Sequence, residues 1–281
     1  MAVVVAYERR LDRIEAWPKL QEWLRADHKS MMTLEQVLIY DNSPRPLAKP
    51  ESPIPSCLYR HDASNGGTAA AYCLAIEIAA ESQIEWLLLL DHDTHLPDCF
   101  LNGAWLALRR CESGKPAALL PWVNHEGAFI SPARVTSFGS IRPLRRDEAI
   151  QPGSRLTAIA SGSLLRVTAL RTLLPLPAEL WLDYVDHWIF SALRAQGVPM
   201  LVFDEVIQHD LSIATLASVS PRRLLSMLDG EAHFHDTLGY WARIAYPLRL
   251  IARMVRMLWI SPPLARHTLR WALKRLSLAK T

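Results

Sequence analysis

The chain lacks paired cysteines. Its four, Cys57, Cys73, Cys99 and Cys111, are scattered, with no C-x-x-C pair and no metal-finger spacing. That excludes a zinc finger or a disulfide framework and predicts reduced thiols in a cytoplasmic protein. No uncharged apolar run reaches the roughly 18 residues a membrane span needs. The opening, Met1 to Ala6, is too short for a signal peptide and has no basic start, so none is expected. Internal repeats and low-complexity tracts are missing as well. Acidic residues are absent from one end altogether. Tyr240 to Thr281 holds nine Lys/Arg and no Asp or Glu, whereas the first 239 residues carry 22 basic and 28 acidic groups, a net of −6. The overall charge of +3 hides this split. A basic end on an acidic body points to an anionic surface as its partner. The acidity of the body argues against nucleic acid as that partner.

What is present is a full complement of core. With 50% hydrophobic residues over 281 positions, the chain can build one large α/β domain or two small ones, and disorder is excluded. Its most informative stretch is Trp86-Leu-Leu-Leu-Leu-Asp-His-Asp-Thr-His-Leu-Pro97. A continuous apolar run of this kind reads as a buried parallel strand delivering carboxylates at its C-terminal edge. Asp91 and Asp93 are two apart, so on extended backbone they point the same way. Two such carboxylates repel unless a proton or cation sits between them. A hard divalent ion, Mg2+ or Mn2+, suits oxygen ligands and completes its shell with substrate phosphates. The alternative is that Asp simply suits the turn after a strand.

Around that stretch the pattern alternates. Ala2 to Ala6 and Val37 to Tyr40 read as strands, and Leu58-Tyr59 as a brief third. Apolar spacing from Leu11 to Leu24 predicts a helix that Pro18 interrupts or restarts. Asn65-Gly66-Gly67-Thr68 opens a helix to about Ser82, and another runs from about Pro97 to Cys111. This predicts a mostly parallel sheet with helices on both faces and a ligand site at the strands' carboxyl ends. Tyr7, Glu8, Asp41, Arg60, Asp91 and Asp93 would gather there. Further on, Ala117 to Val123 and Ala133 to Phe138 are expected as shorter strands, and Ala158 to Ser163 as a small-residue strand and turn. Thr168 to Leu174 and Asp183 to Gln196 are expected as helices, and Met200 to His209 as a strand. The domain is placed at 1–235 and a helical tail at 236–281.

Several residues carry possible chemistry. Asp41 closes a strand beside the expected site, where an acidic residue can accept from a ribose or base, or can simply close an Asx turn. Asn65 and Gly66 put amides at a helix start, a natural anion site, or ordinary turn chemistry. In Trp181-Leu-Asp-Tyr-Val-Asp-His-Trp188, Asp183 suits a helix N-cap. Asp186 has no obvious structural task among apolar neighbours and suits a general base. His209, at a strand end, is either a nitrogen ligand for the metal or merely polar.

The series VVVAY near the start, YDNS at 40–43, NGGTAAAY at 65–72, LLLLDHDT at 87–94, SGSL at 161–164, WLDYVDHW at 181–188 and QHDL at 208–211 resembles family 2 glycosyltransferases. Within them it is most similar to the bacterial rhamnosyltransferase-like branch, whose members carry LDQDT-like and FIDYVD-like motifs in this order. The resemblance covers about residues 2 to 215. It implies the GT-A fold, a dTDP-, UDP- or GDP-sugar donor, a divalent metal, and inversion at the anomeric carbon. Asp41 would then contact the nucleoside, Asp91 lie near ribose or metal, Asp93 ligate the metal and His209 assist it. Asp186 would be the base. Ala6, Tyr7, Glu8, Arg60, Asn65, Gly66 and His92 would belong to the donor pocket, and Ser161, Gly162, Trp181 and Asp183 to the acceptor pocket. The sequence departs from the pattern at His92, where Gln is usual, at Glu8, often Asn, and at His187-Trp188, often Val-Glu. These bear on which sugar is used more than on the reaction.

In the tail, Arg249, Arg253 and Arg256 recur at helical spacing among apolar residues. After Pro262-Pro263 a second helix carries Arg266, Arg270 and Lys274. Arg-edged apolar faces with Trp241, Trp259 and Trp271 suit a helix lying in lipid headgroups. Packing on the domain or a homodimer interface is the alternative. The sequence thus describes a peripheral enzyme at the inner face of the cell membrane, transferring a sugar, rhamnose favoured, to a glycan or lipid-linked acceptor. Its rivals are an inactive nucleotide-sugar-binding scaffold tethered by the tail, and a haloacid-dehalogenase-type phosphatase. The phosphatase pattern wants Thr or Val where this chain has His95, and usually lies near the N-terminus.

Overall fold

Apolar runs without a polar face must be covered on both sides, and the sheet at the centre of this protein is built from them. The computed structural model describes residues 1–26, 32–47, 56–111, 115–150, 154–209 and 220–278. Strands β1 (Ala2–Ala6), β2 (Val37–Asp41), β3 (Cys57–His61) and β4 (Trp86–Asp91) pair in parallel in the order β3-β2-β1-β4. In register, Ala6 lies opposite Asp41, Asp41 opposite His61, and Val5 opposite Asp91, so the strand ends share one edge.

Alternate residues of each strand serve opposite cores. Val3, Val5, Leu87 and Leu89 pack with helix α2 (Gly67–Glu81), and Val4, Leu88 and Leu90 pack with α1 (Trp17–Arg25) and α3 (Phe100–Arg110). The four leucines are 0 to 1% exposed, and each such burial contributes about 2 kcal/mol. Pro18 begins α1 rather than breaking it, since a proline in the first turn forfeits no helical hydrogen bond.

The second half of the chain widens this sheet. β5 (Thr94–His95), β6 (Ala118–His125), β7 (Ala128–Ser131), β11 (Leu164–Arg166) and β12 (Met200–His209) extend it in the order β4-β11-β6-β12-β5, with β7 on β6. β8 (Ala133–Val135), β9 (Ile141–Pro143) and β10 (Leu156–Thr157) form a small antiparallel sheet. Of the strand and turn expected at 158–163 only the turn forms, and the strand proper is β11, antiparallel between β4 and β6. Gly162 makes that turn at φ +76°, where a Cβ would stand 2.5 Å from the Ile207 side chain.

Helices α4 (Val167–Arg171) and α5 (Val185–Ala195) cover the α2 face. Asp183 is not the N-cap of α5. Tyr184 holds that place at φ +65°, and Asp183 turns towards Arg223 instead. Three helices follow: α6 (Pro221–Thr237), α7 (Tyr240–Ile260) and α8 (Pro262–Leu278). The boundary expected at 235/236 falls inside α6, and the chain turns at Gly239. α7 and α8 pack side by side and both return onto α6 through Leu224, Leu228, Leu250, Met257 and Leu264.

Candidate active site

A cavity of about 730 Å3 lies at the carboxyl ends of β1 and β4. β4 ends at Asp91, and the chain turns through His92 and Asp93 into β5. β5 pairs antiparallel with the end of β12, setting His209 opposite Thr94 and therefore beside Asp93. Asp91, Asp93 and His209 thus offer ligand atoms within 4.8 Å of one another. His209 Nδ1 and Asp93 Oδ1 stand 3.3 Å apart, their side chains only 8% and 10% exposed, and neither atom has a hydrogen-bond partner. Burial raises the Asp93 carboxyl above its ordinary pKa. His209 works against that rise and Asp91 adds to it. A buried oxygen and a buried nitrogen that face each other without hydrogen-bond partners, with the Asp91 carboxylate beside them, fit a divalent cation.

Asp91 is held by Ser161, whose hydroxyl donates to Oδ2 at 2.5 Å. Asp186, in the first turn of α5, lines the same cavity. Each of its oxygens takes one backbone N–H, from Ala160 at 3.2 Å and from His187 at 2.7 Å, which fixes the group and leaves each oxygen further acceptor capacity. His187 Nδ1 lies 2.8 Å from the Thr157 hydroxyl. Trp181 Nε1 donates to the Asn65 carbonyl at 2.6 Å, tying the segment before α5 to the start of α2.

Of the residues singled out in the sequence, Ala6, Tyr7, Asn65, Asp91, His92, Asp93, Trp181, Asp183, Asp186 and His209 line the cavity. Ser161 and Gly162 are buried beneath it. Glu8 is exposed outside the lining, its amide donating to Ser43 Oγ at 2.7 Å. Arg60 is exposed on β3, at the sheet's edge and away from the lining. Asp41 is turned inward and fully buried, accepting from Ser43 N and Leu47 N at 2.9 Å and from the Tyr59 hydroxyl at 2.5 Å. Burial acts to raise its pKa, but these bonds outweigh it and hold the carboxyl below its ordinary value.

The amides expected at the start of α2 are engaged within the chain too. Gly66 N donates to Asp62 Oδ2 and Gly67 N to Asn42 Oδ1, so Asp62 occupies the anion's place. The Ser64 hydroxyl leads the hydrogen bonds that lower the Asp62 carboxyl to about 2. Of the QHDL motif, Asp210 and Leu211 lie outside the described residues.

Other lining residues escape sequence reasoning. Tyr72 of α2 is fully buried with its hydroxyl unpartnered, and burial, then Asp91 and Asp186, raise its pKa well above the ordinary value. Ser220, Arg222 and Arg223 come from the start of α6. The Arg222 guanidinium lies 4.7 Å above the Trp181 ring, and Arg223 lies 3.7 Å from Asp183. Ser-Pro at 220–221 signals a helix start, since Ser220 caps it and Pro221 opens it, but nothing local joins that helix to a site 130 residues earlier in the chain. An acidic wall from β4 and α5 and a cationic wall from α6 can hold a cation and an anionic ligand together.

The sequence matches no family model and, at a significant level, no curated protein. Its fold is similar to those of solved glycosyltransferases. GalNAc-T7 with UDP, GalNAc and Mn2+ aligns at TM-score 0.54 and 10% identity, covering 81% of this chain and 46% of that one. S. aureus TarS aligns at 0.47 and 14% identity, covering 85% of this chain and 42% of that one. Its 1–349 portion in complex with UDP-GlcNAc aligns at 0.47 and 12%, covering 85% and 70%. This chain therefore spans less than half the length of the first two. The fold is that of GT-A glycosyltransferases.

Proposed function

We propose that this chain is an inverting glycosyltransferase, moving a sugar from a nucleoside-diphosphate donor to a hydroxyl of a glycan or lipid-linked acceptor. One observation carries the reading: the unpartnered atoms of Asp93 and His209 face each other beside Asp91, in one cavity with Asp186. Asp91, Asp93 and His209 would hold Mg2+ or Mn2+, whose charge stabilises a departing nucleoside diphosphate. Arg222 and Arg223, at the positive end of α6, add cations for the same leaving group. Asp186 takes the proton of the acceptor hydroxyl as its oxygen bonds to the anomeric carbon, and the bond from that carbon to the phosphate oxygen breaks with its electron pair. A single displacement of this kind inverts the centre and needs no covalent nucleophile. Resemblance of the motif series to the rhamnosyltransferase-like branch favours rhamnose, and with it a dTDP-linked donor over UDP or GDP. The basic C-terminal helices support a reaction at the cytoplasmic face of the cell membrane, with a lipid-linked acceptor.

The test is binding of UDP, dTDP and GDP to the purified protein with and without Mn2+. Metal-dependent binding of one nucleotide, lost in Asp93→Ala, is expected. Asp186→Asn should keep that binding while transfer falls by about 10²- to 10⁴-fold. Binding of none of the three sinks the reading. Binding without turnover, indifferent to Asp186→Asn, would make the chain a nucleotide-sugar scaffold.

A further inference from the structure

The basic residues of the C-terminal helices divide into two sets. Four arginines hold the helices to the body. Arg253 pairs through both nitrogens with Glu231, Arg249 donates to Ser140 Oγ and the Phe138 carbonyl, Arg243 donates to the Asp236 carbonyl, and Arg275 pairs with the Asp236 carboxylate. Arg256, Arg266 and Arg270 are exposed and have no partner among the described residues.

The apolar residues of α7 divide in the same way. Ala242, Tyr246, Leu250 and Met257 face the body. On the opposite side Trp241, Ile244, Leu248, Ile251, Val255 and Leu258 recur at steps of three and four and are 45 to 66% exposed, with Trp259 88% exposed at the helix end. This stripe runs the length of a helix of about 30 Å. On α8, Leu269 and Leu273 are exposed between Arg266, Arg270 and Lys274. Both helices rest on α6, so the faces they turn away from it look the same way.

We propose that this outer face of α7 and α8 docks in the plane of an anionic lipid bilayer, with the apolar stripe among the acyl chains and Arg256, Arg266 and Arg270 at the phosphates. The surface deepens the membrane placement of the reading above, and its chemistry is independent of sugar transfer. Among the described residues no helix is long and apolar enough to cross a membrane, and an amphipathic pair of this kind suits lying in its plane. The three-and-four spacing alone would equally suit a second copy of the chain. Charge decides between them. Residues 240 to 281 hold no acid, so two copies would set cation against cation. The positions flanking the stripe, Ala245, Pro247, Ala252, Met254 and Trp259, offer no interchain ion pair either. An anionic leaflet complements the same charges, and Trp241 and Trp259 suit its headgroup layer.

The experiment is co-sedimentation of the full chain with vesicles of equimolar phosphatidylglycerol and phosphatidylcholine, against phosphatidylcholine alone. Oligomeric state and nucleotide binding are measured on the same samples. Binding to the anionic vesicles only, weakened by salt, is expected. A combined Arg256→Glu, Arg266→Glu, Arg270→Glu variant should lower it at least about tenfold, as should Leu248→Glu with Ile251→Glu, each keeping its nucleotide binding. Equal binding to neutral vesicles, or none to either, overturns the proposal. A dimer that does not bind vesicles and that the Leu248→Glu, Ile251→Glu variant splits would assign the face to a second copy. Intact nucleotide binding with no vesicle binding would fail this surface alone and leave the enzymatic reading standing.

Discussion

The two strands flanking β1, VLIYD and WLLLLD, each deliver aspartates at their carboxyl ends, and Asp41 of the first and Asp93, two residues past the second, meet opposite fates. The Asp41 carboxylate is satisfied by its own turn, through Ser43 and Leu47 within six residues, and by Tyr59 on the adjacent strand. Asp93, just past the end of β4, is brought against a histidine from β12 and a second carboxylate, and nothing donates to its Oδ1. A strand-end aspartate is therefore not a site in itself. Hydrogen-bond satisfaction separates the two: a carboxylate whose lone pairs are filled by the fold stabilises that fold, and one left open is available to a ligand.

Exchanging each for asparagine breaks or sharpens this contrast. Asp93→Asn should abolish metal-dependent nucleotide binding while leaving the metal-free protein as stable as before or about 1 kcal/mol more stable, because a buried charge without a donor is removed. Asp41→Asn should do the reverse. It sets an NH2 group against donors that now bond a carboxylate, costs about 2–3 kcal/mol, and spares nucleotide binding in the folded protein. Thermal midpoints and nucleotide titrations of both variants decide the matter. If Asp41→Asn melted like the wild type yet lost nucleotide binding, the contrast would collapse and Asp41 would belong to the donor site.

A third carboxylate tests whether a satisfied group can be turned into an open one. Glu231 is buried at 7% exposure and held by two bonds from Arg253, at 2.7 and 2.6 Å. Arg253→Met leaves it with the Tyr184 hydroxyl but no cation, at an expected cost of about 3 kcal/mol, the lower end for a buried pair because Arg253 is one-third exposed. Urea unfolding would read this. A double variant with Glu231→Met should recover most of the loss, since replacing both members with apolar groups removes the stranded charge. No recovery would mean that Arg253 acts by packing alone.

The sequence made the parallel half of the fold legible because β1, β2 and β4 are each dominated by an apolar run of their own, with only the edge strand β3, CLYRH, brief and mixed. β11 escaped it: three residues inserted antiparallel between β4 and β6 leave no periodic signal, and the strand is expected before the Gly162 turn rather than after it. At the site, Asp91, Asp93, Asp186 and His209 could be named because each ends a recognisable local pattern. The start of α6 could not, because Arg222 meets Trp181 only through the return of the chain across α5. The Asn65-Gly66 amides and Asp41 each leave a ligand role and plain turn chemistry open in the sequence, and the fold gives both local partners, with Asp62 bonding the two amides. Spacing reports which groups are present, and pairing across the fold reports which are free.

The smallest expected effect concerns a buried group whose charged form the fold does not accommodate. His235 of α6 is 3% exposed, stacked on Tyr246 at 4.7 Å between ring centroids, with the Arg249 guanidinium 3.4 Å from its ring nitrogens. Burial, then the Arg249 charge, lower its pKa from 6.5 to about 4. Arg253 adds to the fall, while Glu231 and Asp236 oppose it. Between those two values the unfolded chain takes up a proton that the folded chain refuses, so stability is full above about pH 6.5 and falls as the solution is acidified towards pH 4. At pH 5.5 the loss relative to pH 8 should be about 1 kcal/mol. His235→Phe keeps a ring against Tyr246 and removes the titration, so its urea midpoint should fall less between those two pH values than that of the wild type. Other acids titrate equally in both proteins, and the difference isolates His235. Identical falls would show that its imidazole is protonated in the folded state, and that the Arg249 contact does not exclude the charge.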